Sequence, residues 1–300
     1  MKLTDAGLET VLIFEDGIDL PQFAAFPLVD TDEGRAALKR YYTPFLELAR
    51  DRGVPLVLST PTWRANSDWG TLLGYDAAAL DAINRRAVAF VEEVRNEVLG
   101  ADRDIVIEGC IGPRSDGYAP TLIMDANKAE QYHAVQIGTF ADAGCEQVAV
   151  ITLTYPDEAI GAVRAAKAAD VPIVIGFTVE TNGRLPSGDS IAGAIAAVDD
   201  ATDGAALGYM INCAHPTHLA DALPAGDSRR RIISLRANAS TRSHAELDEA
   251  EELDAGDPDD LAARYVALRS ELPGLEVLGG CCGTNIRHVT AIADAWLATA

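Results

Sequence analysis

The feature that most constrains the fold of this 300-residue chain is a repeated alternation of short apolar segments with longer Ala-rich segments. The apolar segments are three to five residues long and rich in β-branched side chains. This pattern is typical of strands buried on both faces. Seven such segments are clear, at residues 56–59, 105–107, 148–151, 173–177, 209–212, 232–235 and 276–278. A weaker segment at residues 2–4 completes a predicted set of eight strands.

The Ala-rich segments carry apolar residues at helical spacing. Helices are predicted at residues 76–98, 127–143, 157–169, 189–198 and 258–270. Several begin with Asp or Asn, whose side chain caps the free N–H groups of a first turn, and Asp189 is one such candidate. Asp257 precedes Pro258, which suits a first helical position.

Eight strands that alternate with helices predict an α/β fold, a (β/α)8 TIM barrel, as a single domain over residues 1–300. The length suits one large barrel, and no Pro-, Gly- or Ser-rich linker divides the chain. An open, doubly wound parallel sheet is the alternative, because the first strand is short.

The charge balance limits the partners. The chain has 24 Lys and Arg against 46 Asp and Glu, a net charge of −22. This balance argues against nucleic acid and against an anionic membrane surface as partners, and it suits cationic small molecules.

The apolar runs are too short to cross a bilayer. The N-terminus shows no apolar signal-peptide core, so the cytoplasm is the expected location. A homo-oligomer is compatible with the sequence.

The densest charge lies at residues 246–260, where nine of fifteen residues are acidic. The spacing does not match a calcium-binding EF-hand loop, which needs ligands at alternate positions around a glycine. We therefore expect an acidic surface excursion that follows the seventh strand.

Three cysteines carry the strongest chemical signal. Cys213 lies in the segment NCAHP after the sixth strand, and Cys281 and Cys282 lie in GGCCGT after the eighth. In a barrel, the residues after the strands meet at one rim, so three thiols should converge there. Three thiolates with a vacant fourth position are typical of catalytic zinc. A structural zinc site would instead close with a fourth protein ligand, for which His215 is the candidate.

These motifs resemble those of the zinc-dependent homocysteine S-methyltransferases, the homocysteine-binding domain family. The segments GGCCGT and NCAHP are similar to the family's zinc motifs, and DAGLET at residues 5–10 is similar to its opening segment. Further similarities lie at residues 111–113, 154–156 and 177–179. The resemblance covers nearly the whole chain. It implies a (β/α)8 barrel, a bound Zn²⁺ held by Cys213, Cys281 and Cys282, and methyl transfer to the sulfur of homocysteine, which gives methionine.

The chemistry agrees with that implication. Coordination to zinc deprotonates a thiol, and an electron-rich thiolate attacks the methyl group of a cationic sulfonium or ammonium donor. The partners expected are therefore a small-molecule thiol acceptor and a cationic methyl donor. The donor itself is not specified by the sequence.

The chain departs from the family pattern at positions that bear on the substrate. Leu153 stands where the family has a glutamate expected to hold the substrate's amino group, and an apolar side chain cannot pair with an ammonium. Glu9 and Glu108 are candidates to replace it. By resemblance, Asp5 holds the amino-acid part of the acceptor. Residues 236–240 also differ from the family's corresponding segment.

The loop after the second strand is expected to form a wall of the substrate site. It carries Thr60, Arg64 and two tryptophans, Trp63 and Trp69. Arg64 is suited to a substrate carboxylate. The tryptophans are expected mainly to pack, with a cation–π contact to the donor as the alternative.

Two other functions fit the same residues. One is the same zinc chemistry on a different thiol or a selenol acceptor, which Leu153 suggests. The other is a non-catalytic zinc-binding protein with a closed fourth position. A corrinoid-dependent methionine synthase is disfavoured, because 300 residues leave no room for folate and cobalamin modules, which would have to act in trans.

Overall fold

The computed structural model describes residues 1–100, 104–118, 120–219, 222–223, 226–250 and 252–299. Eight parallel strands form a closed barrel in sequence order, and the first strand closes the ring by pairing Leu3 with Leu278 of the last. The strands are β1 (Lys2–Thr4), β2 (Leu56–Ser59), β3 (Ile105–Ile111), β4 (Gln147–Leu153), β5 (Ile173–Phe177), β6 (Gly208–Asn212), β7 (Ile232–Ala237) and β8 (Val277–Gly280). The prediction of a (β/α)8 barrel is confirmed, and the open-sheet alternative is wrong because the ring is closed.

Helices connect successive strands around the outside of the barrel. They are α1 (Leu8–Thr10), α2 (Asp32–Arg52), α3 (Ser67–Leu72), α4 (Ala77–Leu99), α5 (Ala126–Asp142), α6 (Pro156–Ala168), α7 (Ile191–Thr202), α8 (Ser228–Arg231), α9 (His244–Asp248), α10 (Pro258–Glu271) and α11 (Ile286–Ala298). A π-helical turn at Val11–Glu15 follows α1, and short 3₁₀ turns lie at Pro21–Phe23, Phe26–Asp30 and Pro216–Leu219.

The predicted strands coincide with the observed ones or lie within a few residues of them. Three helix starts differ from the predictions. Helix α5 begins at Ala126 after its cap Asp125, where residue 127 was predicted, and α6 begins at Pro156 without a side-chain cap, where residue 157 was predicted. Ser190, and not Asp189, caps α7, because its side chain accepts a hydrogen bond from the Gly193 N–H. Helix α2 was not among the predicted helices, and it contains Pro44, a residue that usually interrupts helices.

The main hydrophobic core fills the layer between the strands and the surrounding helices. A smaller apolar cluster, formed by Cys110, Ala149, Ile151, Val174 and Met210, is contributed by β3 to β6. Since Cys110 and Ile151 also line the large cavity described below, this cluster supports the cavity floor. Among the described residues, no helix has the length and apolar character needed to cross a membrane.

Candidate metal and substrate site

The three predicted cysteines meet at the rim formed by the C-terminal ends of the strands. The sulfur atoms of Cys213, Cys281 and Cys282 all lie within 4.8 Å of one another. Cys213 directly follows β6, and the adjacent cysteines directly follow β8. The closed barrel therefore brings together thiols that are 68 residues apart in sequence.

The backbone around these thiols is held in an unusual conformation. Cys213 has a φ of 55°, in the left-handed region that residues other than glycine seldom adopt. Its carbonyl oxygen accepts hydrogen bonds from Asn238 Nδ2 at 3.0 Å and from His244 Nε2 at 2.6 Å. Such strain persists only where surrounding contacts enforce it, and it is common at functional sites.

The donor set suits a zinc ion. In a tetrahedral site with Zn–S bonds of about 2.3 Å, sulfur atoms are separated by roughly 3.8 Å, which the cluster accommodates. The sulfurs of Cys213 and Cys281 are in bonding contact, as a disulfide with a Cα–Cα distance of 5.4 Å, so metal binding requires the reduced thiols. Among the described residues, these three cysteines are the group that could hold a metal ion.

His215, the candidate for the fourth ligand of a structural site, does not join this group. Its Nδ1 pairs with the Thr217 hydroxyl at 2.8 Å, and burial lowers the pKa of the imidazole to about 4. The described residues thus offer three protein ligands, an arrangement typical of catalytic rather than structural zinc.

The loop after β1 packs directly on the loop that carries the two adjacent cysteines. The Gly280 N–H donates to the Asp5 carbonyl at 2.8 Å, and the Gly283 N–H donates to the Thr10 hydroxyl at 3.1 Å. Gly7 lies so close to the Cys281 carbonyl that a Cβ at this position would overlap it. The glycine is needed here for close approach of two backbones.

We expect Gly7→Ala to displace the cysteine loop. Overpacking of this kind destabilises a protein by about 1–3 kcal/mol, and a misplaced ligand should weaken zinc binding at least about tenfold. Urea unfolding and zinc competition against a chelator measure the two effects. Gly138→Ala in α5 is the matched control, since a Cβ there meets no atom within 4 Å. Unchanged zinc affinity in Gly7→Ala would contradict the expectation.

A cavity of about 390 Å³ opens above the thiols. It is enclosed by the loops after β1, β2, β3, β7 and β8 and by the segment around α9. The polar and thiol side chains that line it include Asp5, Glu9, Thr60, Arg64, Asp116, Tyr118, Arg236, His244 and the three cysteines. Four of the five predicted substrate residues therefore reach this cavity, namely Asp5, Glu9, Thr60 and Arg64.

Glu108 is the fifth, and the structure does not bring it to the cavity wall. Its carboxylate is buried and accepts hydrogen bonds from Ser59 at 2.9 Å and from Gln147 at 2.5 Å. Burial raises the pKa of Glu108. Leu153 is likewise fully buried in the main core, so β4 presents Ile151 and Thr152 to the cavity instead.

Asp5 is held by a buried network that the sequence did not reveal. Arg236 Nη2 donates to Asp5 Oδ1 at 2.5 Å, and the Tyr41 hydroxyl donates to Asp5 Oδ2 at 3.1 Å. The same guanidinium donates to Ser59 Oγ at 3.1 Å and to the Gly280 carbonyl at 3.1 Å. Burial alone would lower the pKa of Arg236, but the nearby groups, Asp5 first among them, raise it, so the guanidinium stays charged.

Glu9 and Arg64 have different surroundings from Asp5. Glu9 is half-buried, and burial, with a smaller contribution from the charge of Asp5, raises its pKa to about 7. The Arg64 guanidinium lies between two indole rings, 4.4 Å from Trp63 and 3.5 Å from Trp69. Both tryptophans thus contact a protein cation. Their predicted packing role agrees with this arrangement.

The acidic segment contributes to the cavity mouth as well as to the surface. Leu247, Ala250 and Leu253 are half-buried and line the cavity, together with the exposed Glu252. Glu251 lies outside the described residues. The expectation of a purely solvated excursion therefore misses an apolar underside that covers part of the site.

Several residues of the site had no recognised signal in the sequence. Arg236 and Asn238 lie in a segment noted for its departure from the family pattern, and their partners are distant in sequence. Tyr118 places its hydroxyl 3.9 Å from the Cys282 sulfur and stacks on His244 with a ring separation of 4.0 Å. A tyrosine in a loop and a histidine after a serine cap carry no motif that predicts this pairing.

A closed (β/α)8 barrel with three thiols converging at the C-terminal ends of its strands is an arrangement that can hold a metal ion. The family model for homocysteine S-methyltransferase matches residues 3–296. The chain therefore belongs to the homocysteine S-methyltransferase family.

Related proteins are consistent with this assignment. The methionine synthase of Mycobacterium leprae is 28% identical over 235 residues, which cover 74% of this chain and 18% of that protein. The methionine synthase of Mycobacterium tuberculosis is 29% identical over 240 residues, which cover 74% of this chain and 19% of that protein. The chain thus matches less than a fifth of the length of these relatives.

The fold is shared with solved structures of the homocysteine methyltransferase MmuM from Escherichia coli. Its metallated form has a TM-score of 0.73 at 17% identity, and the match covers 98% of this chain and 96% of that one. Its oxidised form has a TM-score of 0.75 at 15% identity, with coverage of 98% and 95%.

Proposed function

We propose that this protein is a zinc-dependent S-methyltransferase that transfers a methyl group from a cationic sulfonium or ammonium donor to the thiolate of homocysteine, giving methionine. The observation that carries the proposal is the convergence of Cys213, Cys281 and Cys282 within 4.8 Å at the base of a cavity. Membership of the homocysteine S-methyltransferase family supports the acceptor.

The three cysteines would hold the metal. When bound, Zn²⁺ supplies positive charge that keeps a thiol deprotonated near neutral pH. Since an unperturbed thiol has a pKa near ~8.5, a few per cent is thiolate at neutral pH without that help. Free thiols on the protein also need a reducing compartment, and we propose the cytoplasm.

The reaction is a displacement at carbon. A bond forms between the acceptor sulfur and the methyl carbon while the bond from that carbon to the donor's sulfur or nitrogen breaks. The leaving group takes the bonding electron pair and departs as a neutral sulfide or amine. The thiol proton of the acceptor is released to solvent before this step.

The cavity suits a cationic donor. Its described lining includes five acidic side chains and two arginines, and one of those acids, Asp5, is neutralised by Arg236. The acids Glu252 and Asp254 lie at the mouth, on the acidic segment. A negative cavity raises the local concentration of a cation and stabilises its bound form.

A panel of cationic donors tests the function directly. Zinc-loaded protein is incubated with homocysteine and either S-methylmethionine, S-adenosylmethionine, a betaine or a thetin, and methionine is detected by mass spectrometry. We expect methionine from at least one donor and none with Cys282→Ala. The absence of methionine with every donor would contradict the proposal.

A second candidate, the same reaction on another thiol or a selenol, is favoured by one observation. Leu153 is buried in the core, so β4 presents no acid to an acceptor's ammonium. Adding selenohomocysteine and simple thiols to the panel separates the two candidates, because a higher kcat/KM for one of them would identify it as the acceptor.

X-ray absorption spectroscopy distinguishes both enzymes from a non-catalytic zinc protein. In an enzyme, added thiol should raise the number of sulfur ligands from three to four. Unchanged coordination would favour the non-catalytic alternative.

A further inference from the structure

The carboxylates of the cavity differ in whether they are already paired. Both oxygens of Asp5 are engaged, by Arg236 and by Tyr41. Asp254 accepts from Ser240 at 2.7 Å, and Asp116 lies 3.5 Å from Arg64. Apart from a contact with its own backbone N–H, the Glu9 carboxylate forms no hydrogen bond or ion pair within the described part of the chain. Glu9 is therefore the half-buried acid of the cavity whose carboxylate is available to bind a cationic group of a ligand.

Glu9 also lies close to the thiols. It belongs to α1, the single turn whose preceding residue, Gly7, contacts the Cys281 carbonyl. The next residue, Thr10, accepts a hydrogen bond from the Gly283 N–H. Glu9 and the three cysteines line the same cavity, so a ligand whose sulfur reaches the cysteines can extend toward Glu9.

Arg64 offers the complementary charge in the same cavity. The residue is 8% exposed, and its Nε and Nη1 have no hydrogen-bond partner among the described residues. The interaction that remains for the guanidinium, apart from the indole rings, is the 3.5 Å ion pair from Nη2 to Asp116. An incompletely paired buried guanidinium is costly, and a ligand carboxylate would relieve that cost.

We propose that Glu9 binds the ammonium group and Arg64 the carboxylate of an α-amino acid whose sulfur reaches the three cysteines, and that Asp5 has a structural role instead. This inference rests on the proposed function, since it assigns the groups that select the acceptor. It changes the earlier expectation for Asp5, because that carboxylate is already neutralised by Arg236.

Truncated thiols test each contact separately. Homocysteine, 4-mercaptobutanoate, which lacks the amino group, and 3-aminopropane-1-thiol, which lacks the carboxylate, are titrated into zinc-loaded protein by calorimetry. We expect Glu9→Gln to weaken homocysteine binding about 10- to 100-fold, the range for a hydrogen bond between charged groups. The affinity of Glu9→Gln for 4-mercaptobutanoate should differ from that of the wild type by less than about threefold, because this thiol has no ammonium group for Glu9 to bind.

Arg64 is tested in the same design. Arg64→Gln should weaken homocysteine about 10- to 100-fold and leave 3-aminopropane-1-thiol within about threefold. Arg64→Lys keeps the charge without the planar fork and should retain part of the affinity. Thermal unfolding of each variant checks that the indole packing survives. Glu33→Gln, on the exposed first turn of α2, controls for loss of one negative charge.

The possible outcomes distinguish a failure of this binding assignment from a failure of the proposed function. Equal weakening of homocysteine and 4-mercaptobutanoate by Glu9→Gln, or no weakening of either, would overturn the assignment of Glu9. Equal weakening of homocysteine and 3-aminopropane-1-thiol by Arg64→Gln, or no weakening of either, would overturn the assignment of Arg64. If wild-type protein binds homocysteine with the expected selectivity but methylates it with no donor, the proposed function fails while the binding assignment stands. Failure of the zinc-loaded wild type to bind any of the three thiols would overturn both.

Discussion

Replacing Cys282 with alanine is expected to remove the metal and to abolish methyl transfer. Its sulfur completes the three-sulfur cluster with Cys213 and Cys281. Zinc sites of this kind bind with about 10–16 kcal/mol, so loss of one of a few ligands should weaken zinc binding about 100- to 1000-fold. Mass spectrometric metal analysis after dialysis against a chelator should find zinc at stoichiometric amounts in the wild type and in traces in the variant.

Cys145→Ala is the matched control for that experiment. Cys145 lies in the turn before β4, outside the described lining of the cavity, and burial raises the pKa of its thiol to about 12. We expect this variant to keep both zinc and activity. Stoichiometric zinc in Cys282→Ala, or an equal loss of zinc in the control, would show that the three-cysteine site is wrong.

Replacing Arg236 with methionine is expected to produce the largest loss of stability. The side chain is 6% exposed, and its removal leaves the Asp5 carboxylate buried without its cation. Breaking a buried ion pair from one side costs about 3–5 kcal/mol. Three further acceptors, the Gly280 and Ala6 carbonyls and the Ser59 hydroxyl, also lose a donor. Urea unfolding should therefore show a midpoint far below that of the wild type.

Two companion variants identify the cause of that loss. The double variant Asp5→Asn with Arg236→Met should recover part of the stability, because no unpaired charge remains. Arg264→Met removes a partly exposed arginine that pairs with Asp260 within one helix and should cost less than about 1 kcal/mol. If Arg236→Met and Arg264→Met were equally stable, the buried pair would not have the role assigned to it.

Most of the barrel was predictable because its strands are locally distinct. Segments such as Ile173–Phe177 are continuously apolar and β-branched, and the observed strand matches the predicted residues. Element ends were less predictable. The cap of α7 is Ser190 rather than Asp189, since either polar side chain satisfies the same pattern and the backbone conformation selects between them.

The substrate site was predictable only in part. Thr60 and Arg64 reach the cavity because they follow β2, and every residue after a strand of a parallel barrel lies at the same rim. Glu108 was expected to follow a strand that ends at residue 107, but β3 continues to Ile111, so its side chain lies within the barrel and accepts from Ser59 and Gln147. Position along a strand predicts the layer of a residue, whereas the direction of its side chain depends on neighbouring strands.

The sequence by itself determined that this chain forms a (β/α)8 barrel and that three cysteines follow its sixth and eighth strands. Hydrophobic periodicity is a local property, and the topology of a parallel barrel then places strand ends together. Only the tertiary structure decided which charges are neutralised and which remain for a ligand. Asp5 and Arg236 are 231 residues apart, and their pairing depends on distances that no local pattern records. That pairing leaves Glu9 and Arg64 as the charged groups most available to a bound amino acid.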